Sequence, residues 1–344
     1  MTHQLKLSKR YHKIGKPIPV VAHTYKQILL SKEFDDYQKR NYRTNPIKCI
    51  CGNDNSYLIS SVDREGWEYL LVTCKSCGLI RAKEYWDERS VNDFYSNWFW
   101  KFDGYDENPD KLYNDKYEAR GKQVFDYVNS YTIKFNKPYV VFDVGGATGG
   151  VLTLFQKEAN CYLFDYQKPF LEKARNMGIT TIEGGIYELA EVNRKPDLVI
   201  LSEVLEHIPD LDKALKSLRL VLSNGSLVYI SLPGIDSLKR GRKSYDFLDD
   251  IHKPHVYYFS SEVLNNLMCR YGFKCLKSNS RITALYEYTG EFCDLINYYD
   301  YVVSDIRSAE IKRILLFRHI VPFIKSIVPR AIVIFVRKMF PQRR

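Results

Sequence analysis

The chain has 344 residues, 45% hydrophobic and 27% charged, a composition that describes a folded protein of about two domains and excludes a disordered or fibrous one. Its longest apolar runs, such as 331–336, are about a third of what a membrane span needs, and no apolar stretch follows the N-terminal Met-Thr-His-Gln-Leu-Lys, so a cytoplasmic protein is expected. The net charge of +10 lies at the ends: residues 1–43 carry ten Lys/Arg against three acids, residues 311–344 nine against none, and the middle 32 against 38. A nucleic-acid enzyme spreads positive charge around its site, which the acidic middle argues against.

Residues 1–45 read as a basic arm, punctuated by Pro17 and Pro19, with one short helix over 25–40. In residues 46–85, Lys48-Cys-Ile-Cys-Gly52 and Cys74-Lys-Ser-Cys77-Gly flank a strand over 67–73. Cys49, Cys51, Cys74 and Cys77 suit a four-thiolate zinc ribbon, because the glycine after each pair lets backbone amides turn toward the sulfurs and Zn²⁺ binds thiolates tetrahedrally. The first pair is Cys-x-Cys, where Cys-x-x-Cys is usual. Such a metal is structural, since four protein ligands leave no open position, and it contributes on the order of 10 kcal/mol in place of a core that so short a module lacks. Buried thiols without metal are the alternative. Cys161, Cys269, Cys275 and Cys293 are scattered, and no disulfide framework is expected among them. Residues 86–135 form a connector rich in Trp, Phe, Tyr, Asn and Asp, then a helix from about 115 to 131. From 139 to about 285, strand and helix signals alternate, the pattern of an α/β fold with a mostly parallel, Rossmann-like sheet.

Within that region, Val140-Val-Phe-Asp143-Val-Gly145-Gly-Ala-Thr-Gly149-Gly150 reads as a buried strand ending at an acid, then a glycine-rich turn and a helix starting near Gly150. A dinucleotide fingerprint needs Gly-x-Gly-x-x-Gly; the same register here gives Gly145-x-Ala147-x-x-Gly150. The acid before the first glycine points instead to a cationic ligand without phosphate. A second strand, Cys161-Tyr-Leu-Phe-Asp165, ends in an acid 22 residues later, a spacing that suits a carboxylate chelating a ribose diol.

On these motifs the segment 136–290 resembles the class I S-adenosylmethionine-dependent methyltransferases. Asp197-Leu-Val-Ile-Leu-Ser-Glu203-Val-Leu-Glu206-His207-Ile-Pro209 is similar to that family's fourth strand and loop, and Leu227-Val-Tyr-Ile-Ser to its fifth strand. His255-Val-Tyr-Tyr258 and Gly272-Phe273 resemble its closing elements. The resemblance implies cofactor contacts from Asp143, Gly145, Gly146, Ala147 and Gly149, from Asp165 and Tyr166, from Glu183 where the family places an Asp, and from Ser202 and Glu203. It also implies an acceptor site at Glu203, Glu206 and His207; His255, between Pro254 and a Tyr-Tyr-Phe run, suits the same pocket or a structural place on a lid. His207 titrates near neutrality and suits a general base; its structural alternative is a turn cap before Pro209. Asp249, Asp250 and His252 lack sustained ligand spacing, so no catalytic metal is expected.

A ribbon before this domain also resembles sugar C-methyltransferases, which implies a small-molecule or glycan acceptor, a nucleotide-linked or surface-polysaccharide sugar. Those relatives continue into a further C-terminal domain, whereas about 70 residues follow Phe273. One alternative is an RNA methyltransferase gripping nucleic acid with its zinc module and basic ends. Enzymes of exocyclic base amines carry Asn/Asp-Pro-Pro-Tyr/Phe after the fourth strand, and here that position reads Ser202-Glu203-Val-Leu. A non-catalytic binding protein is the other, against which Asp143, Gly145, Gly149 and Asp165 stand intact. Residues 291–344 form a basic amphipathic segment that suits peripheral contact with an anionic membrane or packing on protein. The oligomeric state is not specified.

Overall fold

The computed structural model describes residues 4–5, 7–12, 20, 24–103, 118–131, 135 and 138–320. Pro17, Pro19 and residues 321–344, the last part of the basic segment, lie outside the described residues. Helix α1 (Tyr25–Asn41) begins where Thr24 accepts from the Gln27 amide and Gln27 reaches back to the Thr24 amide, a capping box that satisfies two end donors at once. Strands β1 (Thr44–Pro46), β2 (Ser56–Val62), β3 (Glu68–Cys74), β4 (Ile80–Ala82) and β5 (Glu84–Trp86) follow, then α2 (Glu88–Asn97) and α3 (Phe99–Asp103). Strands β2, β3 and β4 pair antiparallel.

The N-terminal half packs into a core continuous with that of the other half, contrary to the expectation that a metal would stand in for one. Phe34 of α1 is fully buried, and the rings of Tyr42, Trp67, Trp86, Phe94, Trp98 and Phe102 surround it at 4.9–5.9 Å. These residues come from the arm, the ribbon and the connector, and none of the three segments could bury its aromatics alone.

Helix α4 (Glu118–Asn129) leads into β6 (Tyr139–Val144), β7 (Ala159–Asp165), α5 (Lys168–Asn176), β8 (Thr180–Glu183), β9 (Leu198–Ser202), α6 (Leu211–Val221) and β10 (Leu227–Ser231). After them come β11 (Tyr257–Tyr258), α7 (Ser261–Arg270), β12 (Phe273–Lys277), β13 (Thr283–Tyr288) and α8 (Tyr299–Leu315). Seven strands form one sheet in the order β12-β13-β10-β9-β6-β7-β8. The five from β10 to β8 are parallel, and β13 runs antiparallel to β10 and β12. All of β6 is buried, because a parallel sheet is covered on both faces. This is the α/β, mostly parallel sheet expected, and it brings the carboxyl ends of β6, β7, β8, β9 and β10 to one edge.

The helix expected at Gly150 is instead two single turns, Gly150–Leu152 and Phe155–Lys157. Thr153 Oγ1 donates to the Gly150 carbonyl at 2.9 Å, competing for an acceptor that a regular helix gives to a backbone amide.

The two halves share structure across the expected divisions at 46–85, 136–290 and 291–344. Strand β11 pairs with β4, Tyr257 opposite Arg81 and Tyr258 opposite Ile80, so the ribbon's sheet reads β11-β4-β3-β2. Tyr57 stacks on Tyr299 of α8 at 5.9 Å, and Arg10 grips Asp246 through two bonds of 2.8 and 2.7 Å. Val302, Val303, Ile306 and Ala309 of α8 are buried, so the C-terminal segment joins the core before its basic part begins. Cys269 and Cys293, expected as lone thiols, form a disulfide with Cα atoms 5.6 Å apart, since the fold returns 291–298 along the end of α7. Among the described residues no helix is long and apolar enough to cross a membrane.

Gly121 marks the tightest contact between α4 and the sheet: a Cβ there would stand 2.7 Å from the Gly150 carbonyl oxygen. Glycine to alanine within a helix ordinarily stabilises. Here the overlap with backbone reverses the sign, and Gly121→Ala is expected to destabilise by about 1–3 kcal/mol in urea unfolding. A variant as stable as wild type would show that α4 shifts at no cost.

Candidate active site

The glycine-rich turn after β6 is built by backbone geometry. Gly145 and Gly149 adopt φ of +66° and +77°, the left-handed region open to glycine. Ala147 does the same at +48°, where a Cβ costs roughly 1–2 kcal/mol, and its amide donates to Asp165 Oδ2 at 2.9 Å. Asp165 Oδ1 accepts from the Gln167 amide at 2.9 Å. The carboxylate at the end of β7 therefore clamps the turn after β6, and each oxygen keeps a lone pair for another donor. At Gly146 a Cβ would overlap the Asp143 carboxylate and Leu163.

Asp143 is fully buried, and neither carboxylate oxygen has a hydrogen-bond partner among the described residues. Burial first, and then the neighbouring Asp165 charge, push its pKa up to about 8. Such a group is costly unless a ligand satisfies it, and a cation fits. Tyr166 is 62% exposed, and its hydroxyl meets Glu188 Oε2 at 3.3 Å. That oxygen also accepts from the Gly185 amide at 2.6 Å. Glu183 is exposed and lies 3.6 Å from Lys168. Glu188 therefore organises the loop after β8, a role sequence reasoning did not assign; its position five residues beyond Glu183 was the available signal.

On the loop after β9, Glu203 has a positive φ of +58°, and its carboxylate is held by Arg120 of α4 at 2.7 Å. The Ser202 hydroxyl is buried without a partner among the described residues. His207 Nδ1 lies 2.8 Å from the Tyr95 hydroxyl and 3.1 Å from the Pro254 carbonyl. A carbonyl only accepts, so the proton sits on Nδ1 and the lone pair on Nε2. The His255 ring stands perpendicular to that of His207 at 4.7 Å, and His252 lies 5.5 Å from His255. Burial, with the surrounding arginines and imidazoles, holds His252 and His255 well below the ordinary value, so both are neutral.

Beside them Glu206 is fully buried, with no partner for either oxygen among the described residues, its pKa pushed up to about 8 by burial and by Glu203. Ligand atoms of Glu206, His207 and His255 lie within 4.8 Å of one another, a donor set that could also hold a divalent ion. The spacing at Asp249, Asp250 and His252 gave no such set. Asp250 instead accepts from Arg242, and Asp249 lies 3.4 Å from Lys243. Tyr95 went unnoticed in the sequence, where nothing links it to a histidine 112 positions away.

In the ribbon, Cys49 Sγ lies 3.6 Å from Cys77 and 3.4 Å from Cys51, and Cys51 lies 3.6 Å from Cys74. All four sulfurs fall within 4.8 Å of one another. The amides of Asn53 and Ser76 point at Cys51 and Cys74 at 3.4 Å, as the knuckle reading requires.

Residues 115–278, a little under half of the chain, match a family model described as a methyltransferase domain. That part of the chain is thus similar to a methyltransferase domain. Among solved structures, a protein of Pyrococcus horikoshii OT3 is 16% identical, covering 52% of this chain and 96% of its own, with a TM-score of 0.42. An O-methyltransferase family protein from Burkholderia thailandensis is 13% identical over 56% of this chain and 63% of its own, at 0.43. The N-methyltransferase NodS from Bradyrhizobium japonicum WM9, in complex with S-adenosyl-L-homocysteine, is 12% identical over 58% and 97%, at 0.37. No curated protein sequence matches the chain.

The raised pKa of Glu206 has a consequence for stability. Without ligand the folded chain keeps this proton up to about pH 8, while the unfolded chain loses it near the ordinary glutamate value. Between those values the folded state binds more protons, so stability falls as pH rises. Glu206→Gln is expected to exceed wild type by about 1–3 kcal/mol at pH 8.5, with the gap closing toward pH 4.5. Urea titrations at both pH values measure it; a gap independent of pH would place the glutamate in contact with water.

Proposed function

We propose that this enzyme methylates a hydroxyl or carbon acid of a small-molecule or glycan acceptor, a nucleotide-linked or surface-polysaccharide sugar, with His207 as general base. The observation that carries the reading is the imidazole held at Nδ1 by Tyr95 and Pro254 beside the unpartnered Glu206, at the same sheet edge as the turn around Asp143. S-Adenosylmethionine supplies a methyl group on a cationic sulfonium when bound. Asp143 would hold its charged amino-acid end, Asp165 its ribose, and the loop of Tyr166, Glu183 and Gly185 its base; Gly145, Gly146, Ala147 and Gly149 give the backbone close approach.

Methyl transfer to oxygen or carbon needs alignment and removal of a proton. His207 Nε2 accepts that proton from the acceptor. Tyr95 and the Pro254 carbonyl keep the ring in the required tautomer, and Glu206, when it gives up its proton, offsets the imidazolium charge. His255, neutral and perpendicular to His207, orients the acceptor. Glu203, committed to Arg120, shapes the loop between cofactor and acceptor. The reading is tested with a panel of nucleotide sugars and radiolabelled cofactor: His207→Asn is expected to lower transfer by about 10²–10⁴-fold with S-adenosylhomocysteine affinity unchanged. Asp165→Ala is expected to weaken that affinity by roughly 1–3 kcal/mol. Full transfer by the His207 variant would remove the base role, and unchanged affinity in the Asp165 variant the ribose role.

We also propose that Cys49, Cys51, Cys74 and Cys77 bind one structural Zn²⁺. Sulfurs bound at about 2.3 Å in a tetrahedron stand roughly 3.8 Å apart, close to the 3.4–3.6 Å separations here. Metal analysis is expected to find about one zinc per chain, lost in Cys74→Ser/Cys77→Ser; equal zinc in both proteins, or none in either, would end the assignment.

Peripheral contact with the cytoplasmic face of an anionic membrane is proposed for the end of the chain. Ile311, Ile314, Leu315 and Phe317 are exposed among Lys312, Arg313 and Arg318. The full-length protein is expected to float with anionic liposomes at low salt, and a 1–310 truncation to remain in solution. Equal behaviour of the two would dismiss the contact.

A further inference from the structure

Glu206, His207 and His255 come from two segments that are bound to each other. Glu206 and His207 lie in the single turn Leu205–His207 after β9, and His255 precedes β11. The Val256 amide donates to the Glu206 carbonyl at 2.6 Å, and the Tyr257 hydroxyl to the Pro209 carbonyl at 2.9 Å. The Pro254 carbonyl takes the Nδ1 proton of His207 at 3.1 Å. The pairing of β11 with β4 fixes the second segment from the ribbon's side. Together these bonds bring one carboxylate oxygen and one ring nitrogen of each histidine within 4.8 Å of one another. Metal bonds of about 2.0–2.2 Å place such donors roughly 3–3.5 Å apart, so a side-chain shift of about 1–2 Å closes the set.

The charge of Glu206 calls for such a ligand. Its residue is 1% exposed, and among the described residues neither carboxylate oxygen has a partner. Arg120, the cation nearby, is committed to Glu203 at 2.7 Å. Buried charges are paired or coordinate a metal, and a single acceptor hydroxyl, with one hydrogen, answers only one of the two oxygens. His207 is supported as metal-bound imidazoles are: its Nδ1–H rests on a backbone carbonyl, which fixes the ring and leaves the lone pair on Nε2. The ring of His255 stands perpendicular to it at 4.7 Å.

The donors select the ion. Two imidazoles and one carboxylate suit Zn²⁺, Co²⁺, Ni²⁺ or Fe²⁺, whereas Mg²⁺ and Ca²⁺ take oxygen ligands. Three protein ligands leave a position open, so an ion here exchanges with solvent, unlike one enclosed by the four cysteines. We propose that Glu206, His207 and His255 bind a divalent transition-metal ion, at a site separate from the cysteine cluster. The ion takes the Nε2 lone pair that methyl transfer to a hydroxyl or carbon acid uses, so the ion-bound protein is inhibited. That consequence rests on the general-base reading above; the site itself does not.

The test is metal binding by the full chain, read without methyl transfer. Co²⁺ is titrated by calorimetry and by absorption, because cobalt on nitrogen and oxygen gives weak visible bands while cobalt on the cysteines adds an intense near-ultraviolet thiolate band. Wild type and the exposed control Glu191→Gln are expected to take up one Co²⁺ beyond any that raises the thiolate band. Glu206→Gln, His207→Asn and His255→Asn are expected to bind this ion at least about tenfold more weakly, since loss of even an outer partner of a ligand costs about 10–100-fold. Mg²⁺ is expected to bind more weakly than Co²⁺. Binding of S-adenosylhomocysteine shows that each variant is folded; where a histidine variant loses it, the isosteric Glu206→Gln decides. No such cobalt in wild type, equal binding by Glu206→Gln, or Mg²⁺ held as tightly as Co²⁺ would overturn the proposal. Failure of the base reading looks different: cobalt binds as stated while His207→Asn keeps full transfer.

Discussion

The pairing of Tyr257 and Tyr258 with β4 is the contact on which the acceptor side of the site depends. Those two residues close the ribbon's sheet with a strand from the other half, so the peptide that carries His252 and His255 is fixed by backbone hydrogen bonds instead of hanging as a loop. Tyrosine hydroxyls from the N-terminal half reinforce it: Tyr85 donates to the Pro254 carbonyl at 3.0 Å, Tyr69 to the His255 carbonyl, and Tyr95 meets His207. Tyr69 and Tyr85 are buried and Tyr95 half-buried; buried hydroxyls must find a polar partner, and each finds it on the histidine-bearing loops. The ribbon is therefore joined to the loops of His207 and His255, the residues proposed for catalysis.

That dependence gives the cysteine cluster its meaning. The aromatic core around Phe34 already holds the N-terminal half together, so the four sulfurs are not the sole support of a module without a core. They lie at the turn Cys74–Gly78, where Gly78 is pressed against the backbone of Tyr298 and Tyr299. The four sulfurs, the β2–β3 hairpin and the C-terminal helix α8 thus converge on one small region.

Among the described residues, Asp143 and Glu206 at the carboxyl edge of the sheet are buried carboxylates with no partner for either oxygen. An arrangement of this kind costs stability and is repaid when a ligand brings charge or donors. One lies at the glycine-rich turn and the other beside the paired histidines, the regions proposed for cofactor and acceptor. Ala147 and Glu203 add local backbone strain beside each of them, in keeping with sites that hold geometry at the expense of stability.

Much of this was legible in the residues alone. The alternation of buried strand and helix signals, the acids ending β6 and β7, the helix over 25–40 and the two cysteine pairs are local patterns, set by hydrophobic period, turn chemistry and ligand spacing, and local patterns can be read along a chain. Pairings between distant segments cannot. The order of strands, the sharing of β11 with the ribbon, the disulfide of Cys269 with Cys293, the commitment of Glu203 to Arg120 and the meeting of Tyr95 with His207 join residues 24 to 178 positions apart. Such contacts exist because packing satisfies buried area and buried donors together, a condition on the whole chain that no window of sequence contains. Sequence determined which groups were available for the chemistry; tertiary structure decided which of them face one another and which are already spent holding the fold.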